Sequence, residues 1–276
     1  MTTAHLEVSS ITKRFGGLTA VSDFSISIKT GELNGLIGPN GAGKTTIFNL
    51  LTGVYKPDAG TMTINGKRLS GKRPSAITAL GIARTFQNIR LFKDLTVLDN
   101  VRIACHLRAR HSLFGALIRS PWHFSDEKQI RQHAMHLLHR FGLALRADET
   151  ASNLPYGDQR RLEIARALAT DPKILLLDEP AAGMNPNEKV ALKSLIRQVL
   201  ADFPIAILLI EHDMGVVMDL CQRITVLDHG QVIACGSPQS VQCDEKVIEA
   251  YLGAPAHSVG EVIEHDMQNG TADERR

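Results

Sequence analysis

Apolar and polar positions alternate along this chain in two different rhythms. Near the amino end, Leu6–Ile11 and Phe24–Ile28 read as strands, the second alternating apolar residues with Ser. Leu33–Ile37 is an apolar run that suits a buried strand, and nothing in the pattern explains Asn34 within it. Thr61–Ile64 reads as a short strand entering an Asn65-Gly66 turn, and Gly81–Phe86 closes this section. From about Val97 to Leu168 the strand rhythm stops. Ile130, Ala134, Leu137, Leu138 and Phe141 recur at i, i+4, i+7, i+8 and i+11, which predicts a core-facing helical stripe. Ser112–Pro121 reads as a less regular connection. Strand signals return at Ile174–Leu177 and Ile205–Ile210, continuous apolar runs suited to parallel strands covered on both faces. The helix expected between them, Asn187–Leu200, completes a βαβ unit. Ile224–Leu227 and Gln231–Ala234 flank Asp228-His229-Gly230 as a hairpin, and Glu245–Leu252 reads as a last helix.

This order predicts an α/β chain with a mixed, mainly parallel sheet. One domain is expected over residues 1–254, with a helical subdomain at about 88–170. The polar stretch 255–276 is expected to be a disordered tail. No internal repeat is evident. With 43% hydrophobic and 22% charged residues, the composition is that of an ordinary globular chain. The balance of 31 Lys+Arg against 29 Asp+Glu leaves +2, which argues against a dedicated nucleic-acid binder. Four scattered cysteines form no C-x-x-C pair, so reduced thiols are expected. The first residues show no signal-peptide pattern, and Ile205–Ile210, the longest apolar run, is far too short to span a bilayer.

The chemistry begins directly after the Leu33–Ile37 run. Gly38-Pro39-Asn40-Gly41-Ala42-Gly43-Lys44-Thr45-Thr46 is G-x-x-x-x-G-K-T, a phosphate-binding loop. Its glycines allow backbone N–H groups to point at phosphate oxygens, and Lys44 carries a compact charge to the outer phosphates. The Thr45 hydroxyl can reach a magnesium ion. A helix predicted over Thr45–Leu51 adds its N-terminal dipole. These residues point to a nucleoside triphosphate.

A second constellation ends the Ile174–Leu177 strand. Asp178 and Glu179 stand where α/β sheets bind ligands, beyond a strand's carboxyl end. Asp178 is placed to hold magnesium, and Glu179 to orient or deprotonate water. His212, in Glu211-His212-Asp213, follows the next strand and could donate to a terminal phosphate. Gln87 ends a strand and opens the helical section; by itself it reads as a polar loop residue. His133, His136 and His139 share a helix at a spacing that spreads them around it, so a metal site there is not expected.

Leu154-Pro155-Tyr156-Gly157-Asp158-Gln159-Arg160-Arg161, followed by Leu162–Leu168, resembles the signature motif of ATP-binding-cassette (ABC) ATPases and lies upstream of the Asp-Glu strand as that motif does. The resemblance runs from about Leu6 to Gly253. It is nearest to the ATP-binding subunits of bacterial branched-chain amino acid importers, on four segments: Phe15–Val21, Ala83–Asn88, the Tyr-Gly-Asp-Gln-Arg-Arg form of the signature, and Glu179–Pro186.

The resemblance implies a P-loop ABC-ATPase fold with an antiparallel β subdomain and a helical subdomain beside the mainly parallel sheet, using ATP and Mg2+. It implies that Phe15 stacks on adenine, that Gln87 links magnesium and water to the helical section, that Glu179 is the catalytic carboxylate and that His212 senses the terminal phosphate. Gly157 would approach the phosphates held by a second ABC subunit across a head-to-tail dimer. The implied partners are that second ATPase, two membrane permeases and, indirectly, a periplasmic binding protein, with no nucleic acid. The implied place is the cytoplasmic face of a bacterial inner membrane. Pro155 and Tyr156 depart from the usual Leu-Ser-Gly-Gly-Gln signature, and Asn185 stands where Asp is commoner. Alternatives with the same chemistry are the ATPase of a lipopolysaccharide or urea transporter; a soluble cassette ATPase is a further one.

Overall fold

The computed structural model describes residues 4–107 and 121–252. The 255–276 tail lies outside them, as does the 112–121 connection apart from Pro121. Strands β1 (Ala4–Phe15) and β2 (Leu18–Lys29) pair antiparallel, and β1 also pairs with β4 (Ala59–Ile64), which carries the short β5 (Lys67–Arg68). These make a four-stranded sheet in the order β2-β1-β4-β5. The second sheet has six strands in the order β10-β9-β3-β8-β7-β6. Its members are β3 (Leu33–Ile37), β6 (Ile82–Arg84), β7 (Ile174–Asp178), β8 (Ala206–Ile210), β9 (Arg223–Asp228) and β10 (Gln231–Gly236). All its pairings are parallel except β9 with β10.

The continuous apolar runs are explained by cover on both faces. Along β7, Ile174 and Leu176 face one core and Leu175 and Leu177 the other. The first core lies between the two sheets and includes Ile47, Phe48 and Leu51 of helix α1 (Lys44–Leu51). The other lies under α3 (Val97–Cys105), α4 (Pro121–Arg140), α5 (Tyr156–Leu168), α6 (Pro186–Asp202) and α7 (Met214–Leu220), after the short α2 (Pro74–Leu80). The stripe Ile130, Ala134, Leu137, Leu138 and Phe141 on α4 is buried there as its spacing predicts. Two further helices, α8 (Pro238–Gln242) and α9 (Glu245–Leu252), close the described chain.

Several boundaries differ from expectation. Strands β1 and β2 run to 12 residues each, because register shifts let polar, turn-forming residues such as Ser10 and Asp23 sit inside a bulged ladder at positive φ. The helix start at Lys44 comes one residue earlier than read, and α2, α7 and α8 were too short to show a helical period. Asn34 is buried in the central strand, aligned with Leu208 and Arg223, and nothing in the structure explains an amide there. Among the described residues no helix is long and apolar enough to cross a membrane.

Candidate active site

The phosphate-loop residues Gly38–Thr46 link β3 to α1, so their backbone is fixed by the central strand of the sheet on one side and a buried helix on the other. The path needs glycine. Gly38 has φ 150° and Gly43 φ 103°; a Cβ on Gly38 would overlap the Leu227 carbonyl, and one on Gly43 would lie 2.5 Å from the Ala20 oxygen. Gly43 begins α1 with no side-chain cap, which leaves the helix start available to an anion. The Lys44 ammonium donates to the carbonyls of Gly38 (2.6 Å) and Pro39 (2.9 Å). Burial lowers its pKa from the ordinary lysine value, opposed by the charges of Glu179 and Asp178. The β9–β10 turn leans on the same loop: Gly230 N–H donates to Ala42 and its carbonyl accepts from Ser22.

A cavity of about 450 Å³ is lined by residues 40–46, Phe15, Ala20, Glu179 and His229. Phe15 stands at its rim, 42% exposed, where β1 turns into β2. Its ring meets Tyr55 edge-on with centroids 5.1 Å apart. An aromatic rim, uncapped amides and a buried ammonium are the donor set that a nucleoside triphosphate requires. Of the residues expected at this end, 15, 40–46 and 179 line one space.

Asp178 and Glu179 occupy adjacent positions yet serve different surroundings. In a regular strand they would face opposite sides of the sheet. Here Glu179 takes φ 45°, a left-handed conformation that costs a non-glycine residue about 1 kcal/mol and turns its side chain back toward the loop. Its N–H donates to Ile210, which pins the turn to β8. Gln87 Nε2 donates to Glu179 Oε2 at 2.7 Å, and His212 Nδ1 lies 3.6 Å from the same oxygen. Asp178 is met by a residue to which sequence reading gave no role. Arg84 donates from Nη2 to Asp178 Oδ2 at 2.6 Å and from Nη1 to Asn49 at 2.8 Å. The pairing Arg84↔Leu176 on adjacent parallel strands puts Asp178 two positions further along the same face, a register no single sequence displays.

The signature segment approaches from the helical side. Gly157 is the second residue of α5, and its own chain leaves room for a side chain: the nearest neighbour of a Cβ there is Glu188 Oε1 at 3.6 Å. Residues 21–182 match the family described as "ABC transporter", and residues 231–257 match "Branched-chain amino acid ATP-binding cassette transporter". The chain belongs to the ABC transporter ATPase family. It binds ATP and hydrolyses it. Over 248 residues the cassette is 46% identical to the high-affinity branched-chain amino acid transport ATP-binding protein LivG of Salmonella typhimurium, covering 90% of this chain and 97% of that one. BraF of Pseudomonas aeruginosa is 43% identical with the same coverage. The cassette superposes on the ADP conformation of MJ1267, an ATP-binding cassette of an ABC transporter, with a TM-score of 0.79 and 32% identity, covering 92% of this chain and all of that one.

Other groups in this cassette escaped the sequence reading. Glu211 is buried at the end of β8 and accepts from Ala181 N–H at 2.7 Å, holding the segment that follows Glu179; burial raises its pKa from the usual carboxylate value. His229 enters the cavity wall through a hairpin turn. Arg160 and Glu163, one helical turn apart on α5, form a fully buried ion pair at 2.7 Å. Their polar spacing on a helix reads as a solvated face, and only the packing of 86–90 over α5 turns it inward.

Proposed function

We propose that this cassette energises import of branched-chain or other hydrophobic amino acids through partner permeases. The observation that carries the reading is similarity to LivG and BraF proteins over nearly their whole length, together with the match of residues 231–257 to the branched-chain family. Phe15 stacks on adenine, residues 38–46 surround the phosphates, Lys44 neutralises the outermost one and His212 donates a hydrogen bond to it. Bound magnesium would screen the phosphate charge, and Thr45, Asp178 and Gln87 are the residues that would hold it. Glu179 orients water and takes its proton. Gly157 serves phosphates bound by a second subunit, since its own fold sets no need for glycine there; a related cassette, MJ0796, is known as a dimer bound to ADP and Pi. An apolar groove of about 710 Å³, lined by Ile77, Ile82, Phe86, Leu91, Ile103 and Ala104 where the helical section meets β6, offers a place for a permease at the cytoplasmic membrane face.

The test is transport. Deleting the chain from its native host should abolish high-affinity uptake of radiolabelled leucine, isoleucine and valine, and supplying wild type but not Lys44→Ala should restore it. Unchanged uptake of all three sinks the cargo assignment. A binding experiment checks the site. Phe15→Ala should weaken ATP by about fivefold, the scale of one ring-stacking contact, and relax the preference for adenine over guanine. Lys44→Ala should cost more, because it removes a charge. Equal ATP and GTP affinity changes of zero in Phe15→Ala would place adenine elsewhere.

A further inference from the structure

Hydrogen bonds around Tyr156 close a ring that joins the signature segment to the catalytic carboxylate of the same chain. Tyr156 Oη donates to the Ala182 carbonyl at 2.9 Å. It accepts from Arg160 Nη2 at 3.2 Å. Arg160 Nη2 also donates to the Gln87 carbonyl at 2.9 Å, and Nη1 to the Phe86 carbonyl at 2.7 Å. Glu163 completes the clamp by accepting from Phe86 and Arg90 N–H groups at 3.2 and 3.3 Å. From there the Gln87 side chain reaches Glu179, and Ala182 N–H returns to the Glu179 carbonyl at 3.2 Å. Arg160 is fully buried, whereas Tyr156, at the first position of α5, is 40% exposed. Gln87 and Tyr156 are the exposed members of the ring, and Tyr156 is the one beside Gly157.

We propose that Tyr156 and Arg160 are positioning residues that transmit contact at the signature segment to Gln87 and Glu179 of the same chain. The proposal rests on the roles assigned to Gln87 and Glu179 under the proposed function. The physical argument is stiffness. Arg160 spends three of its bonds on two consecutive carbonyls and on the tyrosine hydroxyl, so the start of α5 and the 86–87 backbone move together. A contact that draws in residues 156–157 displaces Gln87 relative to the oxygen it holds. The bulky tyrosine thus does in its own chain what glycine in that position cannot, since glycine has no hydroxyl to bridge Arg160 and Ala182.

A double-mutant cycle on the full-length chain, assembled with its native partners, decides the matter. The variants are Tyr156→Phe, Gln87→Ala and the pair, with ATP turnover, KM, ATP affinity and thermal midpoint measured for each. Tyr156→Phe removes one hydroxyl and should lower kcat about three- to tenfold, with KM and ATP affinity within twofold. In the Gln87→Ala background the same change should have no further effect on kcat, because the route it acts through is gone. A purely structural tyrosine would lower the thermal midpoint and its effects would add to those of Gln87→Ala. Additive losses, or an unchanged kcat in Tyr156→Phe, overturn the relay while leaving the catalytic reading intact. An unchanged kcat in Gln87→Ala overturns the role of Gln87 and the relay with it.

Discussion

Glu179→Gln is expected to lower ATP turnover by about a hundredfold or more while leaving ATP affinity within a few-fold of wild type. The geometry makes this substitution unusually clean. Glu179 is held by backbone and side-chain contacts that an amide can largely keep: its N–H to Ile210, and one side-chain oxygen accepting from Gln87 at 2.7 Å. The residues expected to carry binding, Phe15 and 38–46, lie in the loop and at its rim and are unchanged. What is lost is the negative charge and the proton-accepting oxygen close to His212. Single-turnover hydrolysis by the purified variant, alongside ATP titration, separates the two effects. Near-normal turnover would remove Glu179 from the chemical step, and loss of binding would show that the strained turn at φ 45° depends on the carboxylate itself.

The largest expected effect on stability comes from Arg84. Arg84→Met should destabilise the chain by about 3–5 kcal/mol, the range for breaking one partner from a buried ion pair. Arg84 and Asp178 side chains are each 8% exposed and meet at 2.6 Å, and the guanidinium is packed between the Phe48 and Phe86 rings at 5.4 and 5.0 Å. Methionine preserves much of that apolar packing, so the loss reports the orphaned carboxylate. The pair Arg84→Met, Asp178→Leu should recover most of the stability, because no unpaired charge remains. Urea denaturation of the four proteins measures both numbers. A single-variant loss below about 1 kcal/mol would show that water or Asn49 satisfies Asp178 without Arg84.

The two variants divide what the chain's carboxylates do. Glu179 is turned toward the phosphate loop, where Gln87 and His212 meet one of its oxygens, whereas one oxygen of Asp178 is paired with Arg84. Their adjacency in sequence hides this difference, which arises from a single backbone torsion.

Local order carried much of the answer. The G-x-x-x-x-G-K-T spacing after an apolar run settles a strand, a tight loop and a helix at once, because a backbone that wraps phosphate admits few residue types at 38 and 43. Continuous apolar runs at 174–177 and 205–210 likewise demand strands covered on both faces, since only then are all their side chains removed from water. The helical stripe on α4 was legible for the same reason. What escaped was set by partners distant in sequence. The Arg84–Asp178 pair depends on the register of two parallel strands 94 residues apart in chain numbering. The Arg160–Glu163 clamp looks like a solvated helix face until residues 86–90 fold across it. Glu211 looks like a surface carboxylate until it captures Ala181 N–H. The sequence by itself determined the chemistry, because motif residues must be of fixed type at fixed spacing to meet phosphate. Only the tertiary structure decided which polar groups are buried and with whom, because desolvation and pairing depend on which elements pack together, and the pattern along one chain records no contact across it.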